Sequence, residues 1–256
     1  MGDHYVCILF WFLYVKVAQQ MQAKLRAQAN RHSIEFMIVG GISLAVIMIF
    51  VSLRSSEISI LEIALTSSAI VAILIGFLKS QQPYYSILLD AQQIIYVHKF
   101  GQWQIGIHNL HSCGIPQAGE TFELLELNAV GIKLISIDEF LQALSPRLAG
   151  KLLIEQRHIF LQAVKMHCKN GNCPSEWLIE PDEFKSDSGQ TYTGLIAMFA
   201  NRMHNLKTLT GYDLLLPANV LDRDIWRFST LLNRWKLSPE QVVKNLREEQ
   251  VTNEQM

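Results

Sequence analysis

Two uncharged apolar runs stand almost back to back early in the chain: Phe36–Leu53, FMIVGGISLAVIMIFVSL, and Ile63–Leu78, IALTSSAIVAILIGFL. Only Arg54-Ser55-Ser56-Glu57 and the apolar lead-in Ile58–Glu62 separate them. A helix crosses a bilayer core of about 30 Å with about 20 mostly apolar residues. The first run has that length, and the second reaches it once the lead-in is added. Two adjacent helices apolar on every face are hard to cover within one small soluble domain. The runs therefore predict a transmembrane helical hairpin over residues 34–79.

The flanks orient this hairpin. Basic residues near membrane ends favour the cytoplasmic side. Lys24, Arg26 and Arg31 precede the first run with no acid among them, and Lys79 follows the second. Both termini and the main domain are thus expected in the cytoplasm, with the short loop outside. Gly40-Gly41 and Ser67-Ser68 are small enough to let two helices approach and exchange hydrogen bonds. Glu62 lies five residues beyond Glu57, in the first turns of its helix. It is expected at the interface rather than as a functional acid inside the span.

Residues 1–33 form an apolar and basic flank. Tyr5–Val15, YVCILFWFLYV, is too short to span comfortably and lacks the marks of a signal peptide. Three readings compete: an interfacial segment, a short extra membrane helix, or an artefact of a start upstream of Met21.

Charge excludes one class of partner. The chain carries 22 Lys+Arg and 23 Asp+Glu, with no concentrated basic face, so nucleic acid is not an expected partner. The four cysteines, Cys7, Cys113, Cys168 and Cys173, are too few and too irregular for a disulfide framework and suit a reducing compartment.

From Tyr84 the pattern switches to short strands: Tyr84–Leu89, Ile94–Lys99, the alternating Gln102–Ile107, Phe122–Leu127 and Ile132–Ile135. They predict an antiparallel meander of about five strands. Ser136-Ile137-Asp138-Glu139 has the form of a capping box. Ser145-Pro146 opens a long helix predicted to run to about Cys168. A sheet-plus-helix domain is expected over 82–168 and a helical subdomain over 175–250. In the latter, Tyr192–Leu209 is a helix closed by Gly211, Tyr212–Leu216 a short strand, and Asp222 the cap of an amphipathic helix Arg223–Trp235. Ser238-Pro239 starts a last helix to about Glu249. The fold class is an α+β membrane protein.

The phrase SILLDAQQIIYVHKFGQWQIGIHNL resembles the opening strands of pleckstrin-homology-like domains, which many bacterial membrane proteins place after two spans. Over about 24–235 the chain resembles a family of uncharacterised bacterial inner-membrane proteins of unknown function. LRAQANRHSIE, LSPRLAGKLLIEQR and LTGYDLLLPANVLDR carry that likeness. It implies a multi-pass protein of the inner membrane and no catalytic residues.

Candidate chemistry is thin. His167, Cys168 and Cys173, and separately His108, His111 and Cys113, offer three ligands each, but neither set has the paired tight spacing of structural zinc. Read without a metal, the first is a loop with two free thiols. No nucleophile elbow or glycine-rich phosphate loop occurs. Asp222-Arg223-Asp224 superficially resembles a divalent-metal acid pair and reads better as an N-cap. Trp226, Phe228 and Trp235 with Arg227 and Arg234 form either an interfacial surface or core with solvated arginines. No catalytic residue, cofactor or metal is assigned. The expectation is a membrane-anchored, non-enzymatic module that binds a protein or lipid. Its partners are the bilayer and a membrane protein. An enzyme with a site dispersed in sequence and an accessory subunit of a membrane complex are the alternatives.

Overall fold

The structure, a computed structural model, describes residues 22–27, 33–53, 59–80, 83–119, 125–168 and 174–254. Expectations for residues 1–20, Arg31, the loop 54–57, Phe122–Leu124 and Cys173 fall outside these. In chain order the elements are β1 (Ala23–Leu25), α1 (Ser33–Leu53), α2 (Ile60–Ser80), β2 (Ile87–Leu89), β3 (Gln93–His98), β4 (Gly101–Gly106) and β5 (Leu110–Gly114). Then come β6 (Gln117–Ala118), β7 (Leu125–Glu126), β8 (Ala129–Leu134), α3 (Ile137–Ala143), α4 (Pro146–Glu155) and α5 (Arg157–His167). The chain ends with β9 (Glu183–Lys185), β10 (Thr191–Thr193), α6 (Gly194–Thr210), β11 (Leu214–Pro217), α7 (Ile225–Leu237) and α8 (Pro239–Glu254). The described residues divide into two compact units, one between 27 and 84 and the other made of β1 with the residues from Tyr85 onward.

The unit 27–84 is the helical hairpin. Both helices are long and apolar enough to cross a membrane, and only 6% and 17% of their most apolar windows are buried. Gly40 marks the close approach: a Cβ there would stand 2.7 Å from Ile73 Cγ1 and 3.0 Å from the Ala69 carbonyl, while one at Gly41 would meet nothing. Ala69 and Gly76 are the buried positions of α2. Ser67 and Ser68 do not bond across the pair; their hydroxyls donate to the Ile63 and Leu65 carbonyls one turn back. Glu62 acts in a capping box, its carboxylate accepting from Ser59 N–H at 2.9 Å while Ser59 Oγ accepts from Leu61 N–H at 3.3 Å.

The other unit is α+β, with antiparallel sheets and C-terminal helices. Its strands do not make one five-strand meander. A four-stranded sheet has the order β1-β2-β3-β4, and a separate three-stranded sheet the order β11-β8-β5. Ala23–Leu25, read above as basic flank, is strand β1 and pairs with β2 in the register Ala23↔Leu89, Leu25↔Ile87. The chain thus leaves this sheet after β1 and returns to its neighbouring strand after the hairpin. Alternation hid β1, since three residues carry too short a period to read.

Strand β11 of the three-stranded sheet is buried on both faces. Leu214 and Leu216 enter one apolar cluster and Leu215 the other, which is why this strand reads as a continuous apolar run. The long helix predicted over 146–168 breaks at Gln156 (φ −90°, ψ 0°) into α4 and α5. Leu148, Leu152 and Leu153 of α4 pack in the first cluster, and Ile159, Phe160 and Val164 of α5 in the second, so one straight helix could not serve both. An aromatic chain runs through the first cluster: Trp103 stacks on Tyr96 at 5.3 Å and meets Phe140 edge-on at 5.8 Å, and Phe140 faces Phe199 at 6.5 Å.

Helix ends also differ from the reading. Ser145 caps α4, accepting from Leu148 N–H. Ser136 makes no side-chain cap, and the Asn109 amide brackets its backbone N–H and C=O at 2.7 and 2.9 Å, taking the N–H that Glu139 would accept from in a capping box. Asp224, not Asp222, caps α7, accepting from Arg227 N–H at 2.9 Å. Replacing Gly40 with Leu should lower the stability of the full chain in detergent by about 1–3 kcal/mol through overpacking, whereas Gly41→Leu should be near neutral. Thermal denaturation of the two variants side by side reads this difference, and equal shifts would contradict the packing.

Candidate functional site

The described cavity of most interest is an open groove of about 350 Å³ where the end of β8, the start of α3, β9 and α6 converge. Its lining includes the apolar side chains of Leu134, Ile137 and Phe184. Its rim carries both signs of charge: Glu183, Asp187 and Asp213 against Lys185, His204 and Lys207.

Two buried polar contacts build it. Asp213, 2% exposed, follows the αL turn at Gly211 that ends α6 (φ +80°). One carboxylate oxygen accepts from Leu134 N–H at 2.8 Å and the other meets Lys207 Nζ at 3.1 Å. This carboxylate therefore joins the end of β8 to α6. Asn201 Nδ2 lies within 3.0 Å of the Pro181, Glu183 and Ala197 carbonyls, and so fixes β9 beside the same helix. Below it, Arg202 is 4% exposed, with Nη1 on the Leu153 carbonyl, its guanidinium paired with Glu180, and its Cζ 4.9 Å from the centre of the Phe160 ring.

The hairpin of β9 and β10 is held from its other side by Asp138, which accepts from Ser188 Oγ at 2.6 Å and Tyr192 OH at 2.8 Å. Burial pushes the Asp138 carboxyl up, but the hydroxyls of Ser188, Tyr192 and Ser186 outweigh it and leave the group below its ordinary value. The groove holds no nucleophile activated by an adjacent base. Its mixed charges beside a few apolar side chains suit reversible binding of a polar ligand.

The residues singled out by sequence scatter. His108 Nε2 meets Glu139 at 2.8 Å on the surface, and His111 meets its neighbour Ser112 at 3.1 Å. Cys113 is buried, which pushes its thiol up to about 12 and keeps it protonated at neutral pH. Cys168 is disulfide-bonded, which corrects the reading of a free thiol at that position. Among the described residues no three His, Cys, Asp or Glu side chains gather as a metal site. Asp222 pairs with Arg223 at 2.7 Å. The tryptophans divide: Trp235 and Phe228 are core, with Trp235 Nε1 donating to the Asp90 carbonyl at 2.6 Å, and Trp226 is 55% exposed. Sequence reasoning missed Asp213, Asn201, His204 and Lys207. The one signal was an acid at the head of the apolar YDLLL.

Fold and groove together define an α+β domain whose sheet is interrupted, between two paired strands, by an apolar helical hairpin. The chain belongs to the family described as "Protein of unknown function (DUF2982)", which matches residues 87–238. That match runs from the first residue of β2 to the residue closing α7, leaving β1, the hairpin and α8 outside it. No curated protein and no solved structure matches the chain.

Asp213→Ala should cost about 1–3 kcal/mol, the usual penalty for a buried N–H left without its acceptor, here that of Leu134. Asp213→Asn, which keeps an acceptor, should cost less, and urea unfolding of both variants measures the gap. A second expectation concerns His98, which is buried beside Tyr96 with Nε2 3.4 Å from Glu155. Burial lowers its pKa despite Glu155. The unfolded chain then binds a proton that the folded one refuses, so stability is intact above pH about 6.5 and falls as pH drops below it. The slope from this one group is at most about 1.4 kcal/mol per pH unit. Unfolding at pH 7.5 and 5.5 should show a smaller loss in His98→Gln than in the parent chain.

Proposed function

We propose that the protein is a membrane-anchored binding module, held in the bacterial inner membrane by α1 and α2. The observation that carries this reading is the exposed apolar surface of the hairpin. Ten large apolar side chains of α1, from Ile34 to Leu53, and ten of α2, from Ile60 to Leu78, are exposed. Water tolerates no continuous apolar surface of that extent, whereas a bilayer covers it. The β1–β2 pairing supports a hairpin with both ends on one side, since strands hydrogen-bonded to each other lie in one compartment. The basic flank of Lys24 and Arg26 with Lys79 favours the cytoplasm for that side.

A domain held there meets lipids and membrane proteins at raised effective concentration. The groove at Asp213 is the candidate binding surface. The likeness to pleckstrin-homology-like domains is kept for β2, β3 and β4, which follow one another in the sheet. A second reading has one observation behind it. The disulfide at Cys168 suits an oxidising compartment, which would place the domain on the periplasmic face.

Reporter fusions after Ser56 and after Met256 test both readings. A periplasmic signal at the loop with a cytoplasmic signal at the C-terminus supports the first orientation, and the reverse supports the second. Recovery of the intact chain in the soluble fraction would remove the anchoring reading altogether.

A further inference from the structure

The β3–β4 turn carries a cluster that the groove does not use. Lys99 Nζ, Arg147 Cζ and Lys151 Nζ stand 5.2, 5.2 and 5.4 Å from the centre of the Phe100 ring. Three cations on one ring repel one another, and Lys151 is the only one of them with a carboxylate close by among the described residues, Glu155 at 3.6 Å. Lys99 and Arg147 are exposed and Phe100 is half-buried.

The turn is pinned in place. Gly101 adopts φ +146°, and a Cβ there would come within 3.1 Å of Ser145 Oγ and 3.5 Å of Leu148 Cβ. The turn therefore lies against the capped first turn of α4, whose dipole adds partial positive charge. From beneath, the buried His98 ring meets Phe100 at 5.5 Å. A turn held against α4, an aromatic ring and three cations around that ring have the chemistry to hold a phosphate group.

We propose that Lys99, Phe100, Arg147 and Lys151 form a phosphate-binding site whose occupant is the headgroup of an anionic lipid. The lipid source rests on the anchoring reading above, because the hairpin of the same chain would supply a bilayer at high local concentration. Phe100 adds an apolar edge of the kind that enters the headgroup layer.

The test uses the full chain in nanodiscs of phosphatidylcholine alone and of phosphatidylcholine with phosphatidylglycerol, read by amide exchange over residues 97–103 and 145–151. Each basic side chain near an anionic surface contributes about 1 kcal/mol, or roughly fivefold in occupancy. Phosphatidylglycerol should slow exchange at both segments at least about fivefold, and high salt should reverse the effect. The protection should weaken in Lys99→Gln and vanish in the triple variant K99Q/R147Q/K151Q, with exchange in β2 and β8 unchanged as the check on folding. If the triple variant misfolds, the Lys99→Gln comparison alone decides.

Equal exchange in the two disc types overturns the site, as does protection that survives the substitutions. Equal protection by millimolar inorganic phosphate in phosphatidylcholine discs overturns the lipid source. A chain that enters neither disc overturns the anchoring reading itself, a distinct result.

Discussion

The pairing of β1 with β2 is the constraint on which the rest of this chain depends. Three residues before the hairpin and three after it are neighbours in one sheet, with Ala23 and Leu25 fully inside the core beside Leu89 and Ile87. Antiparallel neighbours lie about 4.8 Å apart. Whatever the intervening residues do, the chain must come back to within one strand spacing of where it left. A pair of helices meets that condition, and a single crossing could not. The helix α8 reinforces it, since Gln250 Nε2 donates to the Lys24 carbonyl at 2.8 Å and ties the end of the chain to β1.

Around that sheet the domain is organised by a shared wall. The three-stranded sheet faces apolar clusters on both sides, and the helices divide between them. Polar groups at the buried ends and edges of such a sheet must be satisfied internally. Asp213 on Leu134, the Asn109 amide on Ser136, and the Asn233 amide on the Cys113 backbone (3.0 and 2.8 Å) do this. The candidate groove lies where these end groups meet the surface, its charged rim continuous with contacts that close the sheet. Tyr212 shows the same economy of space. Its ring covers the facing pair Gly114 and Gly131, where any added Cβ would run into it.

Much of this was legible in order and little in space. The hairpin could be read because apolarity on every helical face is a local property that needs no partner. The strand at 102–107 could be read because a half-buried strand alternates, and the one at 94–99 because a short apolar run between turns suits a buried strand. The N-cap at Ser145 and the αL stop at Gly211 are set by neighbours within four residues. By contrast the capping pattern at Ser136 was present in sequence and unused in structure, because Asn109, distant in sequence, reaches that backbone first. The single helix expected over 146–168 broke because its two halves serve different clusters. In the groove, Asp213, Asn201 and Lys207 carry no local motif, and their roles arise only where α6 crosses the ends of β8 and β9.

By itself the sequence determined the existence and length of the two apolar helices, the change to strand periodicity after them, and the helix stops set by glycine and proline. These follow from interactions within one or two turns of the chain. Only the tertiary structure decided that Ala23–Leu25 belongs to the sheet, that Leu214–Pro217 joins β8 and not the first sheet, and that Gly40 rather than Gly41 faces the partner helix. Those outcomes depend on which buried surfaces meet across tens to hundreds of residues. Burial by area is non-directional, and choosing among partners of equal apolarity takes the shape of the assembled core.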